Sequence, residues 1–137
     1  MAVVNNPDFI NEQRKYSRYN IRIPASLRLK DGFYYLGKTS NISNNGAFIE
    51  YSGTTNITNE THGILTLYVE GENYSEEIKI KCILKPARQN GIGMEFKAMS
   101  ANDFINFISL LSNNTPDPDK YFTELKSNPG VQVVDDI

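Results

Sequence analysis

Two groups of residues stand out in the first third of the chain. One is mainly cationic and the other consists mainly of small polar residues. The first is an R-x-x-x-R pair, Arg14 and Arg18, with Lys15 and Ser17 between them. The second is an N-x-S-x-x-G pattern at residues 41–46 (N-I-S-N-N-G). A guanidinium can bind a pair of phosphate oxygens or the O6/N7 edge of guanine, and its flat face can stack on a base. The cationic group is therefore where an anion would bind.

The distribution of charge places a positive region at the same end of the chain. Residues 1–40 contain seven Lys and Arg against three Asp and Glu, whereas the whole chain has a net charge of −2. The negative total argues against a general nucleic-acid-binding protein, which usually carries a basic excess. Hydrophobic residues make up 39% and charged residues 22% of the 137 residues, which is typical of one globular domain.

Alternation of apolar and polar residues predicts β-strands through most of the chain. The segment from Ile21 to Leu29 has a period of two, and Asp31-Gly32 follows as a hairpin turn at which both residues tolerate positive φ. Further strands are expected near residues 33–40, 47–51, 64–70, 78–84 and 92–96. Six short strands with tight turns predict a mainly β fold, a six-stranded antiparallel β-barrel, rather than an open sheet.

Helical spacing follows the last predicted strand. Ser100 and Asp103 resemble an N-terminal capping box, and apolar residues then recur at a spacing that predicts a helix packed on the barrel. Asp117-Pro118 favours a short second helix over 118–127. The expected organisation is a flexible lead-in at 1–13, a barrel domain with its C-terminal α-helix at 14–112, and an extension at 113–137 that ends in a disordered tail.

In combination, the two motifs resemble the ligand signature of the PilZ domain, a bacterial receptor module for cyclic di-GMP. Residues 91–96 (G-I-G-M-E-F) are similar to the closing strand of this family, so the resemblance extends from Arg14 to Leu111. It implies a fold of the split-barrel type. It also implies that Arg14 and Arg18 grip the phosphates and guanines, often of two stacked ligand molecules.

The resemblance assigns roles to the N-x-S-x-x-G turn as well. It implies that Asn41 meets a guanine or a neighbouring main-chain group, that Ser43 donates its hydroxyl to the ligand, and that Gly46 adopts a backbone angle denied to other residues. Asparagine lies within the family pattern at the first position. It lacks the charge of a carboxylate, so its hydrogen bonds to guanine N–H groups should be weaker.

One departure from the family pattern concerns the number of ligand molecules. Many members carry a further arginine immediately before R-x-x-x-R, where this chain has Gln13. Whether one or two molecules bind therefore stays open. Candidate additional contacts to the ligand are Gln13, Lys15 and Ser17. Arg22 continues the four-residue spacing, but it lies inside the first strand and is expected to face solvent.

The remaining reactive residues favour neither a catalytic site nor a metal site. His62 lies in a polar loop without a second His or a Cys nearby, and Cys82 alternates with isoleucines, which is typical of a core thiol. We therefore expect no enzyme activity, no catalytic residues, no metal, and no cofactor apart from the ligand cyclic di-GMP. The first residues lack a signal-peptide pattern, no apolar run is long enough to span a membrane, and the single cysteine suits a reducing compartment. The bacterial cytoplasm is the expected location.

The function implied by the resemblance is that of a cyclic di-GMP receptor or adaptor. Ligand binding would change the N-terminal loop and the surface, and so regulate an unidentified protein effector. The output stays open among motility, pilus function, exopolysaccharide and virulence. No DNA or RNA partner and no membrane insertion are expected, and the chain is expected to be a monomer or a weak dimer.

Other interpretations of the same residues stay open. One is a ligand-independent adaptor in type IV pilus function, although such relatives generally lack the motif residues. Another is a barrel that stacks single-stranded nucleic acid on its aromatic residues. Taken separately, the first motif is also typical of a solvated basic segment and the second of a plain polar turn. Their occurrence together favours a ligand site.

Overall fold

A computed structural model of the chain describes residues 16–53, 55, 57–73, 75–128, 130–135 and 137. The expected lead-in at 1–13 and the residues Gln13, Arg14 and Lys15 lie outside this described part. Its strands and helices, in chain order, are β1 (Pro24–Leu29), β2 (Tyr34–Ser43), β3 (Gly46–Glu50), β4 (Thr61–Glu70), β5 (Ser75–Leu84), β6 (Gly91–Ser100), α1 (Ala101–Asn113), α2 (Pro118–Ser127) and β7 (Gln132–Val134).

Strands β1 to β6 close into a barrel in which every neighbouring pair is antiparallel. The order across the sheet is β3-β2-β1-β4-β5-β6, and β3 pairs with β6 to complete the ring. In this closing seam Gly46 lies opposite Glu95, and Glu50 lies opposite Gly91. The prediction of a six-stranded antiparallel barrel is confirmed. Closure leaves no unpaired edge along the seam.

The core of the barrel follows from the alternation along its strands. On β5, the apolar residues Ile78, Ile80 and Leu84 are completely buried, whereas Lys79 and Lys81 between them are exposed. Full burial of one such aliphatic side chain is worth roughly 1.5–3 kcal/mol. A local period of two in the sequence is thus sufficient to orient this strand.

Helix α1 packs against strands β5 and β6. The Ser100 hydroxyl oxygen accepts a hydrogen bond from the Asp103 N–H at 3.2 Å, and this cap begins the helix at the residue after Ser100. The ring of Phe107 meets that of Phe96 edge-on at 5.6 Å, and both side chains are buried. This aromatic contact fixes the helix on β6, as the apolar stripe in the sequence predicted.

The first hairpin differs in one detail from its expectation. The Gly32 N–H donates to the Leu29 carbonyl at 3.0 Å, and Gly32 has a φ of +98°. No residue of the described chain other than glycine has a positive φ, so Asp31 does not take the left-handed conformation. The Leu29 N–H donates to the Phe33 carbonyl at 2.8 Å, so three residues, 30–32, form the loop between Leu29 and Phe33. Strand β2 starts at the next residue, Tyr34.

The C-terminal extension contributes one helix and one strand to the described structure. Helix α2 begins after Asp117, whose side chain accepts from the Lys120 N–H at 3.0 Å. Residues Gln132–Val134 form β7, which pairs in parallel with β6, whereas the sequence suggested a disordered tail. The sequence does not indicate this strand because three residues carry little periodicity of their own. The strand forms through tertiary pairing with the part of β6 that lies beyond the end of β3. Nowhere in the described ranges is there a helix long and apolar enough to cross a membrane.

Candidate ligand-binding site

A cavity of about 350 Å³ opens where the β2–β3 hairpin meets β6. Four residues that the sequence singled out line it together: Arg18, Asn41, Ser43 and Gly46. The structure therefore brings the described part of the first motif against the second. Arg14, Gln13 and Lys15 lie outside the described residues.

Arg18 is brought to the cavity by the residue that follows it. The Tyr19 N–H donates to the Ile42 carbonyl at 2.8 Å, and the Ile42 N–H donates back to the Tyr19 carbonyl at 2.9 Å. Ile42 lies between Asn41 and Ser43 on strand β2. One main-chain pair thus fixes the relative position of the two motifs, while the Arg18 side chain stays exposed.

Ser43 forms its hydrogen bonds inside the turn. Its hydroxyl donates to the Asn45 side-chain oxygen at 2.8 Å and accepts from the Asn45 N–H at 3.3 Å. The residue is 5% exposed. A ligand oxygen that takes the Ser43 hydroxyl must first displace the Asn45 amide. In the structure as it stands, Ser43 shapes the two-residue turn between β2 and β3.

Gly46 is required for packing and not for an unusual backbone angle. Glycines with positive φ in the described part are Gly32 and Gly130, so the expected special conformation at Gly46 is wrong. A Cβ at Gly46 would lie 2.5 Å from the Met94 carbonyl oxygen. Glycine therefore allows β3 to approach β6 closely at the floor of the cavity.

Two cations that sequence reasoning did not assign to the site also line the cavity, Lys85 and Arg88. Lys85 forms an exposed ion pair with Glu60 at 2.6 Å, and this hydrogen bond raises the pKa of Lys85 and lowers the pKa of Glu60. The position of the Arg88 main chain is fixed by its N–H, which donates to the Gly91 carbonyl at 2.8 Å. Within the described residues, neither Arg88 nor Arg18 has a carboxylate at ion-pair distance.

A signal for these two cations exists in the sequence. The segment K-P-A-R at 85–88 stands directly before Gln89 and Asn90, which form the turn that leads into β6. Because β6 pairs with β3 to close the barrel, this connection must return beside the β2–β3 turn. Knowledge of the closing pair would have placed both cations at the site, whereas Lys85 read alone suggests only the polar face of a strand.

One carboxylate completes the polar lining. Glu95 faces the cavity from β6 and forms an ion pair with Lys97 at 3.0 Å. Carboxylate and amide oxygens accept hydrogen bonds, and guanine presents N–H donors on its base-pairing edge. The cavity thus combines cations suited to phosphate with acceptors, Glu95 and Asn41, suited to guanine.

Ser17, a candidate contact from the sequence, is engaged elsewhere. Its N–H and its hydroxyl both donate to the carboxylate of Glu124 on helix α2, at 2.8 and 2.6 Å. Ser17 is not among the residues that line the cavity. Its side chain therefore holds the segment against helix α2.

The single thiol of the chain belongs to the core. Cys82 is completely buried, and burial raises the pKa of its thiol to about 12. Its Sγ lies 3.5 Å from the Gly63 carbonyl oxygen, to which it donates. Across the described ranges, no group of three or more His, Cys, Asp or Glu residues is arranged to hold a metal ion.

Comparison with known proteins finds one matching family and similar solved structures. The model of the PilZ domain family matches residues 12–113. The chain is similar to the solved PilZ domain of CeSA from a cellulose-synthesizing bacterium, with 18% identity and a TM-score of 0.59 over 71% of this chain and 96% of that one. It is also similar to the Bacillus subtilis inhibitor of motility MotI/DgrA, with 15% identity and a TM-score of 0.54 over 75% of this chain.

These matches differ in how much of each protein they cover and in what they show. The chain spans 53% of MotI/DgrA, and at identities below one fifth the two solved structures show a shared fold. No curated protein matches the chain. The family match, by contrast, includes all six barrel strands and helix α1. The chain belongs to the PilZ domain family.

Proposed function

We propose that this chain is a non-catalytic receptor for cyclic di-GMP that regulates a separate protein. The observation that carries the proposal is the meeting of Arg18 with Asn41, Ser43 and Gly46 at one cavity, although they come from two separate motifs. Membership of the PilZ domain family supports the choice of ligand.

The chemistry of the cavity fits the two parts of this ligand. Arg18 and Arg88 have no carboxylate at ion-pair distance in the described part, so both guanidinium groups are available to phosphate oxygens. Each bidentate arginine–guanine contact contributes roughly 1–3 kcal/mol of discrimination between bases. Since about 1.4 kcal/mol corresponds to tenfold in affinity, two such contacts would separate guanine from adenine ligands by roughly 30-fold or more.

Arg14 is the second arginine of the proposed grip. It lies four residues before Arg18 and outside the described residues, and its role follows from the R-x-x-x-R motif of the family. Gln13 and Lys15 flank it as further candidate contacts. With Gln13 in place of the common arginine, the proposal leaves the count of bound molecules at one or two.

The output of the receptor is a protein contact. Binding changes the N-terminal segment that carries the arginines and the surface around it, and the changed surface then recruits or releases an effector. The similarity in fold to an inhibitor of motility favours motility as the regulated process, and the similarity to a PilZ domain from a cellulose-synthesizing bacterium favours exopolysaccharide as the next. A second messenger of this kind acts in the bacterial cytoplasm, which also suits a reduced Cys82.

The proposal is tested by isothermal titration calorimetry with cyclic di-GMP. We expect the wild type to bind in the nanomolar to micromolar range and Arg18→Ala to lose most of that affinity. Arg22→Ala is the matched control, because Arg22 is also an exposed arginine but forms an ion pair with Glu50 at 2.7 Å. If the wild type shows no binding at tens of micromolar cyclic di-GMP, the proposal fails and the ligand-independent adaptor is favoured.

A further inference from the structure

The carboxylate of Glu124, near the end of the chain, accepts hydrogen bonds from both donors of Ser17, near its start. The Ser17 N–H donates to Glu124 Oε1 at 2.8 Å, and the Ser17 hydroxyl donates to Glu124 Oε2 at 2.6 Å. Hydrogen bonds to an ionised acceptor are about twice as strong as neutral ones, and two parallel bonds also fix orientation. The residue so held is the immediate neighbour of Arg18.

The contact is part of a larger surface formed by helix α2, Gly130 and strand β7, here termed the C-terminal brace. The ring of Tyr19 meets that of Tyr121 edge-on at 6.1 Å, and Tyr121 is completely buried one helical turn before Glu124. The Tyr16 hydroxyl lies over Gly130, since a Cβ built there would be 2.6 Å from it. Residues on both sides of Arg18 therefore rest on the brace.

The brace is itself fixed to a strand of the cavity. Strand β5 occupies one edge of β6, and β3 pairs with the other edge as far as Glu95. Strand β7 continues on that second edge, opposite Ala98 to Ser100. The main-chain N–H of Phe96, between these two stretches, donates to the Asn45 carbonyl of the motif turn at 2.7 Å. The brace and the turn are thus neighbours along one edge.

From this arrangement we infer that Glu124 is a positioning residue for the proposed ligand site. It holds Ser17, and through it Arg18, in the place where Arg18 lines the cavity. Glu124 does not line the cavity itself. The inference rests on the proposed function, and it gives the C-terminal extension a role, that of preorganising the site from outside it.

The energetic consequence is a linkage between the brace and the ligand. A site that is competent for only a fraction of the time binds with an apparent affinity reduced by that fraction. If the Glu124 contact is lost, Arg18 leaves its place more often and affinity falls, although none of the residues that line the cavity has been replaced. By reciprocity, a bound ligand must strengthen the docking of helix α2 by the same factor.

The test compares Glu124→Gln, Ser17→Ala and the double variant with Asp119→Asn. Asp119 is an exposed residue on the first turn of the same helix, so its variant makes the same change of charge. The first measurement needs no ligand and is the hydrogen exchange of the Ser17 amide by NMR. The second is the affinity for cyclic di-GMP by calorimetry, with thermal melts to establish that each variant is folded.

We expect Glu124→Gln to speed exchange of the Ser17 amide and to weaken ligand binding about tenfold, the size of one lost hydrogen bond to a charged group. Ser17→Ala should weaken binding in the same direction, and the double variant should be no worse than Glu124→Gln alone. Asp119→Asn should stay within twofold of the wild type in both measurements.

The outcomes separate the two proposals. If the wild type binds and Glu124→Gln binds equally well despite a freely exchanging Ser17 amide, the positioning role is overturned and the receptor function stands. An equal loss in Asp119→Asn overturns it too, because the effect is then one of net charge. If the wild type does not bind at all, the receptor proposal fails and the positioning role fails with it.

Discussion

Tyr19 and Ile42 exchange both of their main-chain hydrogen bonds, at 2.8 and 2.9 Å, and this pair joins the two sequence motifs into one site. Tyr19 follows Arg18 directly, and Ile42 stands between Asn41 and Ser43. The arginine is therefore presented to the turn by main-chain geometry, which does not depend on which side chains stand at 19 and 42.

Replacement of Arg18 by lysine separates charge from shape. Arg18→Lys keeps the positive charge but loses the planar fork, so the affinity for cyclic di-GMP should fall by about tenfold or more. Arg22→Lys, with its ion pair to Glu50, should leave affinity within twofold. Calorimetry of both variants is the check, and equal behaviour of Arg18→Lys and the wild type would reduce the role of Arg18 to a point charge.

The two cations of the β5–β6 connection should contribute unequally. Lys85 is already neutralised in an exposed pair with Glu60 at 2.6 Å, whereas Arg88 has no such partner in the described part of the chain. Arg88→Ala should weaken ligand binding more than Lys85→Ala and should reduce the dependence of affinity on salt. A titration series at several salt concentrations measures both effects. A larger loss in Lys85→Ala would contradict this assignment.

Two glycines on the closing seam should respond differently to alanine. A Cβ at Gly46 would lie 2.5 Å from the Met94 carbonyl oxygen, whereas a Cβ at Gly93 meets only the Phe48 ring, at 3.7 Å. Gly46→Ala should cost about 1–3 kcal/mol of unfolding free energy by overpacking, and Gly93→Ala should be neutral or slightly stabilising. Urea denaturation followed by circular dichroism measures both. Equal stability of the two variants would show that the seam adjusts freely.

The buried thiol should make stability depend on pH in the alkaline range. Burial raises the pKa of Cys82 from 9.0 to about 12, so the folded chain keeps the thiol neutral where the unfolded chain ionises it. The stabilising effect of the neutral thiol is complete below pH 9 and is lost progressively as pH rises toward 12, by at most about 1.4 kcal/mol per pH unit.

The control for this prediction is Cys82→Ala. Its cavity cost is independent of pH, so the difference in unfolding free energy between the wild type and Cys82→Ala should shrink from pH 8 to pH 10. Urea denaturation at the two pH values measures it. A difference that stays constant would mean that the thiol does not titrate on unfolding in this range.

The barrel could be predicted from the sequence because its signals are local. A period of two orients each strand, Gly32 closes the first hairpin, and the Ser100 hydroxyl begins helix α1. Each of these depends on residues within a few positions of one another. The same holds for the presence of both motifs, although the reason for Gly46 is its distance to Met94, which only the seam reveals.

The rest of the site depends on pairs that are remote in sequence. Ser17 and Glu124 are 107 residues apart, and nothing in the local pattern of either indicates the other. Strand β7 exists because β6 offers an edge beyond the end of β3. Arg88 reaches the cavity through the closure of the barrel. Such contacts follow from topology, so the sequence alone indicated a ligand site without the elements that hold it in place.

The central claim is that both motifs bind one ligand at one cavity, and a residue-by-residue NMR titration with cyclic di-GMP tests it most directly. We predict that amide signals of residues 16–19 and 41–46 move together with a single affinity, with those of Arg88 and Glu95 following. Signals of the core strand from Ile78 to Leu84 should stay in place. Addition of cyclic di-GMP that moves none of these signals, or moves only one of the two motifs, would contradict the account.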